Sequence, residues 1–348
     1  MALLFVDSFD HYQTAQLMAK WTTRSTAGAH AIQVGTGRCG TNCLAMSSGG
    51  NVTLTKGIPF SGLTGIVGLA LMVTGQVFAK SLFLEFNCGG GSGVNLRVYR
   101  LTDGSISVER ADSSPVVIGT TAPDVTRVDA WYYVEVRVVI DAAAGEVQVR
   151  VNGVEELNVT GVDTVSSLGT LTLTAITINA AQSFLYKIED LYVLDDSGGA
   201  PNNTFLGDVR VEYLQPTADG THQDWSLVGA AAHWEAVDDG DSPDDDTSYL
   251  HTATVGQIDT EVYENTGLPS GTIFGLQLGL YARKTDSGFR EVTPIVLHGG
   301  TVFAGSAHAP SFASYTYLLE MYNVNPGTAA AWTIPDVNNA EYGVRLSV

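Results

Sequence analysis

The residues most suited to chemistry lie in one short acidic run. Between Glu235 and Asp246 the chain carries Glu235, Asp238, Asp239, Asp241, Asp244, Asp245 and Asp246. Calcium takes several hard oxygen ligands, and a dense loop of carboxylates supplies them. Asp239, Asp241, Asp244 and Asp246 are therefore the candidate calcium ligands. The spacing is not that of an EF-hand. Counted from Asp239, Asp244 stands where the loop needs glycine, and Leu250 stands where it needs a closing glutamate. The competing reading is a solvated acidic loop that keeps the protein soluble.

Three cysteines follow as candidates: Cys39, Cys43 and Cys88. An odd number excludes a complete internal disulfide framework. Either two of them pair, within the chain or between subunits in an oxidising exterior, or all three remain small buried thiols of a protein made in a reducing cytosol. A structural zinc site wants four ligands at recognisable spacing, and none is present. The seven histidines, His11, His30, His222, His233, His251, His298 and His308, show no ligand spacing. Trp225 and Trp234 offer rings for sugar stacking, although core packing is the commoner use. The tripeptides beginning at Asn51, Asn158 and Asn202 match the glycosylation pattern and read as chance.

Catalytic motifs were sought against this background. Gly-x-Ser-x-Gly and His-Glu-x-x-His are both absent from the sequence. Retaining glycosidases place two carboxylates about 5–5.5 Å apart, and a β-sandwich enzyme could set them at alternate positions of one strand. Here the best strand reads Glu135-Val-Arg137, a carboxylate followed by a base on the same face, which suits a surface ion pair. Glu155 and Glu156 are adjacent and point to opposite faces. Glu85 is the other strand carboxylate of interest. The expectation is a protein that is not an enzyme and needs no cofactor.

Composition sets what must position these groups. The chain has 348 residues and a net charge of −20, and its length favours two domains. Residues 1–200 carry 12 basic and 18 acidic side chains; residues 201–348 carry 5 and 19. Such a field repels nucleic acid and anionic lipid, and no basic stripe opposes it. The start of the chain lacks the basic, long apolar pattern of a signal peptide. The longest apolar stretch, Gly65–Val73, is too short to span a membrane and reads as a buried strand.

Strand signals dominate. In Trp131–Ile140, Tyr132, Val134, Val136, Val138 and Ile140 alternate with polar residues, and Val147, Val149 and Val151 do the same. Asn152-Gly153 is a strong hairpin turn, because both positions accept positive φ. Together these predict a three-stranded meander. Further strands are expected at Leu82–Phe86, Leu96–Arg100, Ser105–Arg110, Leu168–Ile178 and Phe184–Leu194. The Gly89–Gly93 run reads as a hairpin loop, since it lacks the Lys-Ser/Thr ending of a phosphate loop. The polar run Asp195–Asn203 marks a boundary, giving domains 1–198 and 199–348. In the second, strands are expected at Asp208–Leu214, Ile273–Lys284 and Phe289–Leu297, the last two joined by the turn Thr285–Gly288. A further strand is expected at Tyr315–Tyr322 and a short helix at Ile334–Glu341.

The opening Leu3–Asp10 with Trp21, then Trp131–Val136, Val149–Gly153 and Ile188–Asp195, resemble laminin-G-like (concanavalin A-like) jelly-roll domains. The continuation through Phe205–Val211, Tyr281–Lys284, Ala331–Val337 and Glu341–Arg345 resembles tailed-bacteriophage virion proteins. The resemblance implies an all-β chain of two β-sandwich domains, the first a jelly roll. It also implies a structural part of a virion tail, fibre or capsid shell, made in the host cytoplasm. The partners it implies are other virion proteins and copies of the chain itself, a trimer being favoured. The alternative is an adhesin that contacts a host surface glycan.

Overall fold

The computed structural model describes residues 3–25, 30–47, 52–75, 80–89, 93–180 and 185–348. Asn51, Phe184 and the centre of the Gly89–Gly93 run lie outside the described residues. The chain is an all-β protein whose two compact units are Met1–Val211 and Glu212–Val348.

In the first unit the strands begin with β1 (Leu3–Asp7), β2 (Thr23–Arg24), β3 (His30–Gln33), β4 (Cys43–Ser47) and β5 (Val52–Gly57). They continue as β6 (Thr64–Thr74), β7 (Ser81–Asn87), β8 (Val94–Arg100), β9 (Ile106–Arg110) and β10 (Val116–Thr120). The set closes with β11 (Trp131–Val139), β12 (Gly145–Val151), β13 (Val154–Val162), β14 (Ala175–Ala180) and β15 (Leu185–Leu194). Among the described residues these form two sheets, and the ladders between strands are antiparallel. The eight-stranded sheet runs β13-β12-β11-β6-β15-β4-β3 with β1 on β15, and the seven-stranded sheet runs β10-β9-β8-β7-β14-β5-β2. This is the jelly-roll sandwich expected.

Period-two alternation decides which face of each sheet is dry. Val134, Val136, Leu69, Val67 and Ile188 are buried on one sheet; Leu84, Phe86, Leu96, Val98, Ile176 and Ile178 are buried on the other. Burying a side chain of this kind stabilises by about 1.5–3 kcal/mol. The β11–β12–β13 meander forms as expected, and Asn152 and Gly153 both take positive φ in its turn.

The opening segment is held by a buried polar knot. Asp7 accepts hydrogen bonds from Tyr12 Oη (2.7 Å), Trp21 Nε1 (2.9 Å) and the Phe9 N–H (3.0 Å), and it pairs with Lys20 at 3.1 Å. Burial alone would raise the Asp7 carboxyl, but Lys20, His11 and the hydrogen bonds hold it below the ordinary carboxylate range. Burial, with Lys20 adding, pushes His11 down to about 3 and keeps it neutral. The conspicuous Phe-Val-Asp-Ser-Phe-Asp opening is thus a structural knot.

Several expectations change on contact with tertiary structure. Residues 168–174 do not join a strand; the backbone carbonyls of Thr170 and Thr172 instead accept from the Asn95 side chain. The strand expected at Asp208–Leu214 is also absent. Val209 O accepts from Arg38, and the Val211 N–H donates to Asp190, so side chains take the place of a ladder. Those contacts bind residues 205–211 to the first unit, which therefore ends at Val211 and not at residue 198.

The second unit contains β16 (Pro216–Gln223), β17 (Ser226–Val228), β18 (Tyr249–His251), β19 (Ile258–Tyr263) and β20 (Leu276–Ala282). After these come β21 (Val292–His298), β22 (Thr301–Ala304), β23 (Thr316–Tyr322) and β24 (Glu341–Leu346). A five-stranded sheet, β16-β19-β24-β21-β22, is joined by the pairs β17-β18 and β20-β23. The segments on either side of Thr285–Gly288 are not hairpin partners: β20 pairs with β23, and β21 pairs with β24 and β22. Val296, Tyr322, Trp332, Val337 and Tyr342 make the core, against which Leu276 and Leu278 pack. The expected helix forms at Ile334–Asn339, where Thr333 and Asp336 build a capping box ahead of Pro335.

Removing the Asp7 carboxylate leaves the Lys20 ammonium buried without its partner. Asp7→Ala is expected to cost the first unit about 3–5 kcal/mol. A urea titration followed by tryptophan fluorescence checks it, and an unchanged midpoint would show the knot to be dispensable.

Candidate functional site

The two sheets of the first unit present different outer faces. On the eight-stranded sheet the segment Phe205–Val211 lies over part of the outer face, at Glu135, Arg150, Asp190 and Tyr192. Glu135 lies there fully buried, accepting from Tyr192 Oη and from the Gly207 N–H at 2.8 Å. Arg38 pairs with Asp190 at 2.7 Å and with Asp208, and its guanidinium lies over the Tyr133 ring. The Arg150 guanidinium lies 4.4 Å over the Phe205 ring. Gly68 is required at this face, because a Cβ there would fall 2.2 Å from the Tyr192 ring. The surface ion pair expected between Glu135 and Arg137 is therefore corrected. The overlying segment buries Glu135, and Arg137 pairs with Glu146 across the ladder.

On the seven-stranded sheet the outer face is built of polar residues. Strand register sets one transverse row: Thr23 opposite Thr55, Thr55 opposite Thr177, Thr177 opposite Glu85, Glu85 opposite Arg97, and Arg97 opposite Glu109. Directly opposed residues share a face. Glu85 accepts from Arg97 Nε and from Asn179 Nδ2, both at 2.9 Å. Lys80 donates to both oxygens of Glu109, at 2.9 and 2.7 Å, and lies 4.4 Å over the Tyr99 ring. Burial raises the Tyr99 phenol above its ordinary value, with Arg97 and Lys80 opposing, so it keeps its proton at neutral pH.

The next row holds Gly57, Ala175 and Asn87. Two small residues between taller neighbours leave a depression. A cleft of about 270 Å³ opens here, lined by Thr22, Thr23, Thr55, Gly57, Asn87 and Ala175, among others. Hydroxyls and amides chain along it: Thr55 Oγ1 lies 2.8 Å from Thr177 Oγ1, which donates to Asn87 Oδ1 at 2.8 Å. The face thus offers neutral donors and acceptors over a cleft, beside two carboxylates and two cations. Glu85 on β7 and Glu109 on β9 are two strands apart, about 9.5 Å at the backbone.

The sequence singles out Glu85 but not the row, because its members come from six different strands. Paired carboxylates were expected along one strand, whereas register sets Glu85 and Glu109 on either side of Arg97 in one row across strands. The other candidates disperse. Asp239 accepts from the Asp244 N–H, Asp244 bonds Ser248, Asp241 bonds Ser242, and Asp246 pairs with Arg283 and Tyr315. No group of three residues able to hold a metal ion occurs among the described residues, and the candidate calcium ligands Asp239, Asp241, Asp244 and Asp246 are not gathered into one. Cys39, Cys43 and Cys88 are free thiols within the chain, as in the second of the two readings. Cys43 contacts Thr36 Oγ1, and Cys88 accepts from the Thr170 N–H. Three of the histidines meet acids: His233 with Asp259, His298 with Asp336 and His308 with Glu320.

Neither a family model nor a curated protein matches this chain. Solved structures that it resembles include an endo-β-1,4-glucuronan lyase of the fungus Trichoderma reesei, at 12% identity. That match covers 55% of this chain and 94% of the lyase, with a TM-score of 0.39. A carbohydrate esterase from the Shiga toxin-encoding bacteriophage phi24B matches at 13% identity, over 56% of this chain and 100% of that one, with a TM-score of 0.38. The carbohydrate-binding module CBM66 of Bacillus subtilis matches at 10% identity, over 50% and 97%, with a TM-score of 0.35. A sialidase matches at 12% identity with a TM-score of 0.34; the match covers 47% of this chain but spans only 16% of the sialidase's length. Likeness at this level assigns no residue a role. The expectation that the chain is not an enzyme does not stand beside neighbours that include a lyase, an esterase and a sialidase, although the likeness assigns this chain no activity. Missing sequence motifs do not exclude turnover when carboxylates assemble from separate strands.

The second unit carries a buried acid pair whose titration is readable. Asp259 and Glu261 both lie buried on β19. Burial first, then the neighbouring Asp259, pushes the Glu261 carboxyl well above its ordinary 4.5. A raised acid favours the fold fully below the unfolded value, and that contribution is lost as pH climbs toward the folded one. Glu261→Gln, fixed in the neutral form, is expected to raise the melting temperature at pH 7 by about 2–4 °C. The gain should vanish near pH 4. Calorimetry at the two pH values checks this, and equal shifts at both would contradict it.

Proposed function

We propose that this chain engages a glycan on the open face of the seven-stranded sheet, as a surface component of a tailed-bacteriophage particle. The observation that carries the reading is the cleft at Gly57 and Ala175, bordered by a chain of threonine and asparagine side chains and the Glu85–Arg97 pair. Sugars present many hydroxyls that both donate and accept, and this face holds groups of both kinds. The virion setting is supported by the ordered resemblance along both units to tailed-phage virion proteins. In that setting the chain contacts other virion proteins and its own copies, with a trimer favoured.

A glycan array probed with the purified chain is expected to give hits, and the same protein should inhibit phage adsorption. Arg97→Met removes charge-assisted donors while keeping the stem, and affinity should fall about tenfold, the scale of 1.4 kcal/mol. Silence on the array together with unimpeded adsorption would reject the glycan reading. Mass spectrometry of purified particles tests the setting, where absence of the chain would reject it.

A further inference from the structure

We infer that the cleft takes a neutral saccharide ring, not a uronate or a sulfated sugar; this rests on reading the face as a glycan site. The groups lining the cleft are hydroxyls, an amide, small side chains and the Cys88 thiol, with no charged side chain among them. The two cations of the polar face described above are already held. Arg97 is paired with Glu85 at 2.9 Å, and Lys80 with Glu109 at 2.7 Å. Both carboxylates are largely buried, so neither cation is free to meet an incoming anion without exposing its partner's charge.

An anionic sugar seated in the cleft would be desolvated beside neutral groups, which is costly for an ionised carboxylate or sulfate. It would also approach against the field of a chain whose net charge is −20. A hydroxyl meets neither obstacle. The Thr55–Thr177–Asn87 chain accepts and donates, and Asn87, which accepts through Oδ1, retains its amide nitrogen as a donor. At about 270 Å³ the cleft lies just below the usual range for ligand sites. That size suits a single sugar ring with the rest of the glycan lying along the sheet.

The test is isothermal titration of the full chain with neutral oligosaccharides and with matched oligomers bearing uronate or sulfate. Neutral ligands are expected to bind at least about tenfold more tightly, with affinity changing less than about twofold between 50 and 500 mM salt. Ala175→Leu, which fills the depression, is expected to abolish binding while far-ultraviolet circular dichroism is retained. Should that variant not fold, Gly57→Val serves the same comparison, since a Cβ at Gly57 meets only Thr22 Oγ1 at 3.4 Å. Tighter binding of the acidic ligands, lost on filling the cleft, would overturn the neutral class and leave the glycan reading intact. Neutral binding that survives the filling would overturn the assignment to this cleft. No binding by either class would overturn both.

Discussion

The dry contact between two antiparallel sheets is the constraint on which the first unit depends. Each strand offers alternate residues to opposite faces, so burying one set commits the other set to the outside. Val134 and Val136 face inward, and Tyr133, Glu135 and Arg137 must therefore face outward. On the seven-stranded sheet, Leu84 and Phe86 face inward, and Glu85 must face outward. A slip of one residue would exchange the two sets and drive charges into the core, which is why register here is tightly specified.

The two outer faces then diverge for a reason that lies in the chain's path. Residues 205–211 return over the eight-stranded sheet and are held by Arg38, Glu135, Asp190 and Tyr192, with Phe205 covering Arg150. Glu135, Asp190 and Tyr192 beneath the segment become interior. On the seven-stranded sheet the small residues Gly57 and Ala175 leave a depression. The same alternation thus yields a buried polar cluster on one side and a candidate binding surface on the other. In the second unit the acidic excess divides likewise. Asp246 and Asp244 satisfy local donors at the surface, while Asp259 and Glu261 are buried beside each other.

Much of the architecture was legible beforehand. The β11–β12–β13 meander, the Asn152-Gly153 turn, the buried β6 and the capped helix at Ile334 follow from short-range rules: alternation, turn chemistry and capping. Where local pattern misled, a distant partner had intervened. Residues 208–214 look like a strand, yet Arg38 and Asp190 capture their backbone. The segment before Phe289 looks like half of a hairpin, yet β20 finds β23 instead. Glu135 looks like a surface acid, yet a segment some 70 residues downstream buries it.

By itself the sequence determined the fold class, the two-part organisation, the acidic character and the identity of the outward residues on each strand. These depend on period and composition, which are local. Tertiary structure alone decided that Thr55, Thr177, Glu85, Arg97 and Glu109 form one row, that the acidic loop gathers no metal-ligand group among the described residues, and that the chain returns over Glu135. Such facts depend on which strands pair and where the chain returns. Those are long-range choices made by the whole core, and no short stretch of residues encodes them.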